Sequence, residues 1–246
     1  MKNSIFHGVH TLQRGLQGLK QPGLRAFVLW PLIINSLLFS LLLVGFYWQI
    51  SHLIHWVNAQ LPSWLLWLSA FIWLLFTLAL IVVITLCFMS VAIIIAAPFN
   101  ALLAERVVQL ETGIVPASGR DTLLGMLKDV PRVLAREWRK ACYWLPRVLA
   151  VLLLSLIPGL QLITIGIWPI LNSWLMAVQF MDYPLDNEKR SFEHTLATCR
   201  AERLSMLGFG GMVMLLSLIP IVNFFVIPAA VIGASLWWVE YQQSTQ

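Results

Sequence analysis

The chain has 246 residues, 59% of them apolar and 11% charged, with a formal net charge of +5. Soluble domains carry about 25% charged residues to solvate their surface, and no Asp, Glu, Lys or Arg lies between Arg25 and Glu105, Arg147 and Asp182, or Arg203 and Glu240. An ionised group at mid-bilayer costs about 2.5–3.5 kcal/mol on the mildest scale, so this pattern excludes an ordinary soluble fold and predicts an all-α integral membrane protein.

Residues 1–25 hold Lys2, Arg14, Lys20 and Arg25 among scattered apolar positions. They lack the continuous apolar core of a cleavable signal peptide, and none is expected. Leu12, Leu16 and Leu19 fall at helical spacing with Arg14 and Gln17 on other faces. This predicts an amphipathic N-terminal helix, on the membrane surface or packed against the protein.

Residues 26–104 read as two spanning helices. Ala26 to Tyr47 gives about 33 Å of helix, enough for hydrocarbon about 30 Å thick, with Pro31 near its start. Trp64 to Ala97 is longer than one span and must tilt, bend or project; Pro98 is expected to interrupt it. Trp48, Trp56, Trp64 and Trp67 would form an interfacial belt around the intervening turn.

Residues 105–147 hold eight basic and five acidic residues. They read as a cytoplasmic helical segment, with Gly113, Pro116 and Gly119 marking a loop. By the positive-inside rule this segment and the basic N-terminus share the cytoplasmic side, and Gln49 to Ser63 lies outside.

Two apolar stretches, 148–181 and 204–241, flank a polar connection at 182–203. Leu153-Leu154-Ser155-Leu156-Ile157-Pro158 recurs as Leu215-Leu216-Ser217-Leu218-Ile219-Pro220. Interrupted by proline, arms of 11 to 16 residues would be about 16–24 Å long, too short to cross. Two Pro-broken, re-entrant helical hairpins are expected, since duplicated interrupted segments mark transport sites. The competing reading is of prolines that kink ordinary spans.

Gln21-Pro22-Gly23-Leu24-Arg25 directly precedes the first apolar helix. Gly23 permits a backbone that exposes consecutive amides at a helix N-terminus. The Arg25 guanidinium adds a fork matched to two oxygens of a tetrahedral dianion. A turn followed by a snorkelling arginine explains the same residues.

Arg106, Arg132, Arg136, Arg139 and Arg147 are either a cationic vestibule or, with Asp129 and Glu137 nearby, a solvated, ion-paired helix. Glu105 is expected in a salt bridge at the membrane edge, with Arg106 or an arginine of the next helix. Asp182 and Asp186 flank Tyr183-Pro184, a turn signature expected to cap a helix. Asn172 and Asn223 offer amides either to a passing anion or to neighbouring helices.

Enzyme readings fail on the motifs. His52 and His55 have no neighbouring ligand to complete a metal set. H-E-x-x-H, G-x-S-x-G and nucleotide-binding glycine loops do not occur. Ser155 and Ser217 have no histidine in their segments, and His194 lies in a charged loop. Cys87, Cys142 and Cys199 are too dispersed for a disulfide framework. No cofactor, metal or nucleic-acid partner is expected.

Four blocks occur in order with the two repeats: Gln21-Pro22-Gly23-Leu24-Arg25, Ala97-Pro98-Phe99-Asn100-Ala101-Leu102-Leu103-Ala104-Glu105, Lys128-Asp129-Val130-Pro131-Arg132 and Asp182-Tyr183-Pro184-Leu185-Asp186-Asn187. Together, over residues 8 to 241, they resemble the CysZ family of bacterial sulfate permeases. The resemblance implies a multi-pass protein of the bacterial inner membrane that supplies sulfate for cysteine biosynthesis. It also implies partial bilayer penetration, contact with lipid and homo-oligomers. It places sulfate binding at Gly23, Leu24, Arg25 and Ala26. Relatives can carry a second arginine where this chain has Ala26, so Arg25 would act with backbone amides. Asn100, Glu105, Arg106, Asn172 and Asn223 are the candidate pore or gate residues. Flux by a channel or by proton symport fits the sequence. A membrane adaptor and a permease for sulfite, thiosulfate or phosphate are the alternatives.

Overall fold

The computed structural model describes residues 3–60, 66–114 and 123–245. Among them the chain is helical: α1 (Ile5–Gly18), α2 (Arg25–Gln60), α3 (Leu66–Thr112), α4 (Leu123–Ser155), α5 (Gln161–Asn187), α6 (Phe192–Ala201), α7 (Arg203–Ser217) and α8 (Pro220–Thr245). The chain divides into two units, Leu29–Ala97 and the remainder, Met1–Val28 with Pro98–Gln246.

Among the described side chains of the first unit, the helices show no polar face. Leu29, Trp30, Ile33, Leu37, Leu41 and Val44 of α2 and Phe71, Leu74, Leu78 and Val82 of α3 are all exposed. A helix apolar on every side needs an apolar solvent. At about 1.5 Å per residue, the 36 residues of α2 and 47 of α3 exceed a bilayer's hydrocarbon thickness. The expected interruption at Pro98 does not occur: α3 continues through it to Thr112. One missing N–H removes one ladder hydrogen bond, which a long helix absorbs as a local distortion. The boundary between the two units falls at this residue.

In the second unit α1 lies against α7 and α8, and α5 against α4, α6, α7 and α8. The predicted amphipathic helix packs on the protein: Gly8, Leu12, Gly15 and Gly18 are buried, and Leu16 and Leu19 press on the core. Ser4 caps α1 by accepting from the His7 amide. Asn3 Oδ1 accepts from the Leu204 and Ser205 amides, satisfying donors that open α7. Leu12, Leu103, Met181, Met206, Phe209, Ile232 and Trp237 fill the core.

Both copies of the repeated block are helix ends followed by a tight reversal. α4 stops at Ser155 and α7 at Ser217. The first turn uses Gly159 at φ +90°, a conformation that side chains resist. The second places Pro220 at the first position of α8, where a missing donor costs nothing. Across the first turn the Trp168 indole N–H donates to Ser155 Oγ at 3.2 Å.

The arms are longer than the prolines predicted. Pro169 and Pro184 lie inside the 27-residue α5 and Pro228 inside the 26-residue α8; α7, with 15 residues, matches the expected length. Residues Gln161–Asn187 and Val222–Ser244 form two helices long and apolar enough to cross a membrane.

Candidate functional site

Polar chemistry in the second unit concentrates where α4, α5 and α6 meet. Arg132, Arg136 and Lys140 succeed one another at every fourth residue of α4, opposite Asp182 and Asp186 of α5. This spacing puts each set on one helix face. Arg132 forks onto Asp186 with bonds of 2.6 and 3.1 Å. Arg136 forks onto Asp182 with bonds of 2.9 and 2.6 Å and also reaches Asp186 at 3.1 Å. Lys140 Nζ lies 3.0 Å from Asp182 and 2.6 Å from Glu137.

The belt continues into α6, where Thr195 Oγ1 donates to Asp182 at 3.0 Å. Lys189, at φ 58°, turns the chain between α5 and α6. The Arg190 carbonyl just beyond it accepts from Arg136. Arg136, Lys140, Asp182 and Asp186 are all buried. Burial pushes the Lys140 pKa down, but Asp182 and then Glu137 outweigh it and hold the ammonium above its ordinary value.

The expected capping role of Asp182 and Asp186 is therefore overturned. Tyr183-Pro184 lies within α5, three residues before its end, and the carboxylates meet α4. Arg132 and Arg136 are ion-paired as expected, but to Asp182 and Asp186 of α5 and with Arg136 buried instead of on a solvated helix; Lys140, not singled out in the sequence, is the third cation. Asp129 of that reading has no described side chain; Arg139 is exposed.

The residues proposed from the sequence fall in several places. Gly23 is exposed and outside the left-handed region, and a Cβ there would make only ordinary contact with Leu110 at 3.8 Å. The Leu24 side chain is buried, and its amide donates to the Gln21 carbonyl at 3.1 Å. Arg25 opens α2 with an exposed side chain whose Nε donates to the Lys20 carbonyl at 3.1 Å; Ala26 is exposed beside it. Asn100 donates to the Tyr183 hydroxyl at 3.5 Å, linking α3 to the belt. Glu105 is buried, and Arg106 donates to Gln109 Oε1 at 2.6 Å. Asn172 and Asn223 are half-buried on α5 and α8.

A second feature lies between α4 and α5. Tyr143, Arg147, Ile167, Ile170, Leu171 and Trp174 line an open cleft of about 320 Å³. The Trp174 indole donates to the Tyr143 hydroxyl at 2.9 Å. The Arg147 guanidinium lies 3.6 Å from the centre of the Tyr143 ring and donates to that residue's carbonyl.

Long helices that expose apolar side chains, beside a buried belt of paired charges, define an integral membrane protein. The chain belongs to the sulfate transporter CysZ/etoposide-induced protein 2.4 family, whose model matches residues 11–228. It is 43% identical over 238 residues to the sulfate transporter CysZ of Pseudomonas paraeruginosa, covering 95% of this chain and 94% of the relative. The same identity and coverage relate it to the sulfate transporter CysZ of Pseudomonas aeruginosa. That of Salmonella typhimurium is 38% identical over 95% of this chain and 92% of the relative.

Proposed function

We propose that this chain carries sulfate across the bacterial inner membrane as a multi-pass permease and supplies cysteine biosynthesis. The observation that carries the reading is similarity over 95% of the chain to relatives named for sulfate transport. Its own residues fit the substrate. Arg25 stands exposed at the N-terminus of α2, held by one hydrogen bond to its own turn, where a helix dipole favours anions. Gly23, Leu24 and Ala26 would complete the capture site. Asn100, Glu105, Arg106, Asn172 and Asn223 are the proposed lining and gate of the route. The two hairpins would enter the bilayer and leave on the same side, in a homo-oligomer surrounded by lipid.

Flux is proposed to be channel-like and driven by the sulfate gradient. A proton relay needs a carboxylate or histidine free to change charge, whereas Asp182 and Asp186 are locked against three cations. Radiolabelled sulfate uptake into proteoliposomes tests the proposal. Uptake without a proton gradient, reduced at least about tenfold by Arg25→Ala, is expected for a charge-assisted contact at the capture step. Uptake that requires the gradient would replace the channel with symport. No uptake above empty liposomes from folded protein would overturn transport in favour of an adaptor. Unlabelled sulfite, thiosulfate and phosphate as competitors would rank the oxyanions.

A further inference from the structure

We propose that the cleft beside Arg147 binds an anionic phospholipid, with the phosphate on the guanidinium and an acyl chain along Ile167, Ile170 and Leu171. Arg147 is the last charge before 34 residues without one, the boundary at which basic groups meet anionic headgroups. Arg132, Arg136 and Lys140 on the same helix are ion-paired. Arg147 has no carboxylate partner among the described residues, and it touches the ring and carbonyl of Tyr143. Those contacts fix the guanidinium over the ring and spend one of its donors on the carbonyl, so its position is set before a ligand arrives.

The rest of the cleft identifies the occupant. Its volume is that of a small-molecule site, about 300 Å³ or more, but its lining is apolar apart from Arg147 and the polar atoms of Tyr143 and Trp174. The Trp174 N–H is spent on the Tyr143 hydroxyl. A free dianion needs several donors to replace its water, and this cleft offers too few. An acyl chain needs an apolar wall open to the bilayer, and Ile170 is 61% exposed. Charge at one end and hydrocarbon at the other match a phospholipid.

The test is native mass spectrometry of the full-length protein in detergent, titrated with phosphatidylglycerol or phosphatidylcholine. One tightly bound phosphatidylglycerol per chain is expected, with about tenfold preference over phosphatidylcholine from the charge-assisted contact. Arg147→Gln should remove that preference while leaving phosphatidylcholine binding unchanged. Ile170→Asn, at an exposed position, should weaken both lipids, and thermal melts would confirm that both variants fold. Equal phosphatidylglycerol affinity in wild type and Arg147→Gln would overturn the proposal. So would displacement of the lipid by millimolar sulfate with no effect of Ile170→Asn, which would make the cleft a small-anion site.

Discussion

Two joints of the second unit are built on opposite physics. Where α4 meets α5, five ionised side chains pair across the helices, and each is satisfied only because the others are present. Where α1 meets α7 and α8, and α7 meets α5, backbones approach so closely that a methyl group would not fit. A Cβ on Gly8 would fall 1.9 Å from the Ser205 carbonyl oxygen, one on Gly15 2.0 Å from that of Ala229, and one on Gly210 1.8 Å from that of Ser173. The first joint fails by subtraction and the second by addition. Membrane helices associate without a hydrophobic drive between them, leaving van der Waals contact and polar pairing as the glue. This protein uses each at a separate place.

The largest effect should come from removing one charge of the belt. Asp182 serves Arg136, Lys140 and Thr195 together, so Asp182→Ala leaves two buried cations short of a partner. Breaking a buried pair costs about 3–5 kcal/mol, whereas replacing the whole set by apolar groups is often neutral. Thermal unfolding in detergent should show a large drop for Asp182→Ala, mostly restored when Arg136→Met and Lys140→Met are added. A single-variant loss below about 1 kcal/mol, the range of a surface pair, would mean that the belt is not a coupled unit.

Adding an atom at the other joint comes next. Gly210→Ala should cost about 1–3 kcal/mol, the range for overpacking, because the obstacle is backbone and cannot rotate away. Gly166→Ala is the control: nothing lies within 4 Å of the added carbon, and the helix-propensity gain is up to about 1 kcal/mol. Equal stabilities for the two variants would remove the close-approach argument.

Alkaline titration probes the belt more gently. The Lys140 pKa is raised in the folded protein. Its stabilising contribution is therefore fully present below the unfolded value, about 10.4, and fades as pH rises through the higher folded value. The melting midpoint of wild type should fall across that window more steeply than that of Lys140→Met. Parallel curves would show that Lys140 does not sense Asp182.

The two joints were unequally legible in the sequence. The spacing of Leu12, Leu16 and Leu19 marked the packed face of α1, and the six-residue repeat marked both reversals. Each of those signals is local, set by helix periodicity or by a proline and its neighbours. The belt pairs residues about fifty apart. The sequence holds Arg132, Arg136 and Lys140, and Asp182 and Asp186, at fourfold spacing, but neither set announces its partner, and Tyr183-Pro184 favoured a turn. Partners on α4 and α6, which a local signal does not contain, decide the outcome. The glycine joint left even less trace. No two glycines are four apart, because Gly8 and Gly15 on α1 meet Ser205 and Ala229 on other helices. Of the candidate site, the location of Arg25 at a helix start followed from the sequence. The bond from Asn100 to Tyr183 depended on tertiary placement.

The smallest effect should come from the partly exposed ion pair of Arg14 with Glu240, which ties α1 to the end of α8. In charge type it resembles the belt, but both side chains are about a third exposed, at 31% and 36%. Water and salt screen the attraction, and either ion left alone is solvated, so the penalty for an orphaned charge does not arise. Arg14→Ala and Glu240→Ala should each cost less than about 1 kcal/mol, and the difference from wild type should vanish in high salt. Asp182→Ala should keep most of its penalty there, because salt ions do not reach a buried pair. If salt erased both losses equally, burial would not be what separates the two kinds of ion pair. The neutralised belt would then have to be read as a solvated surface.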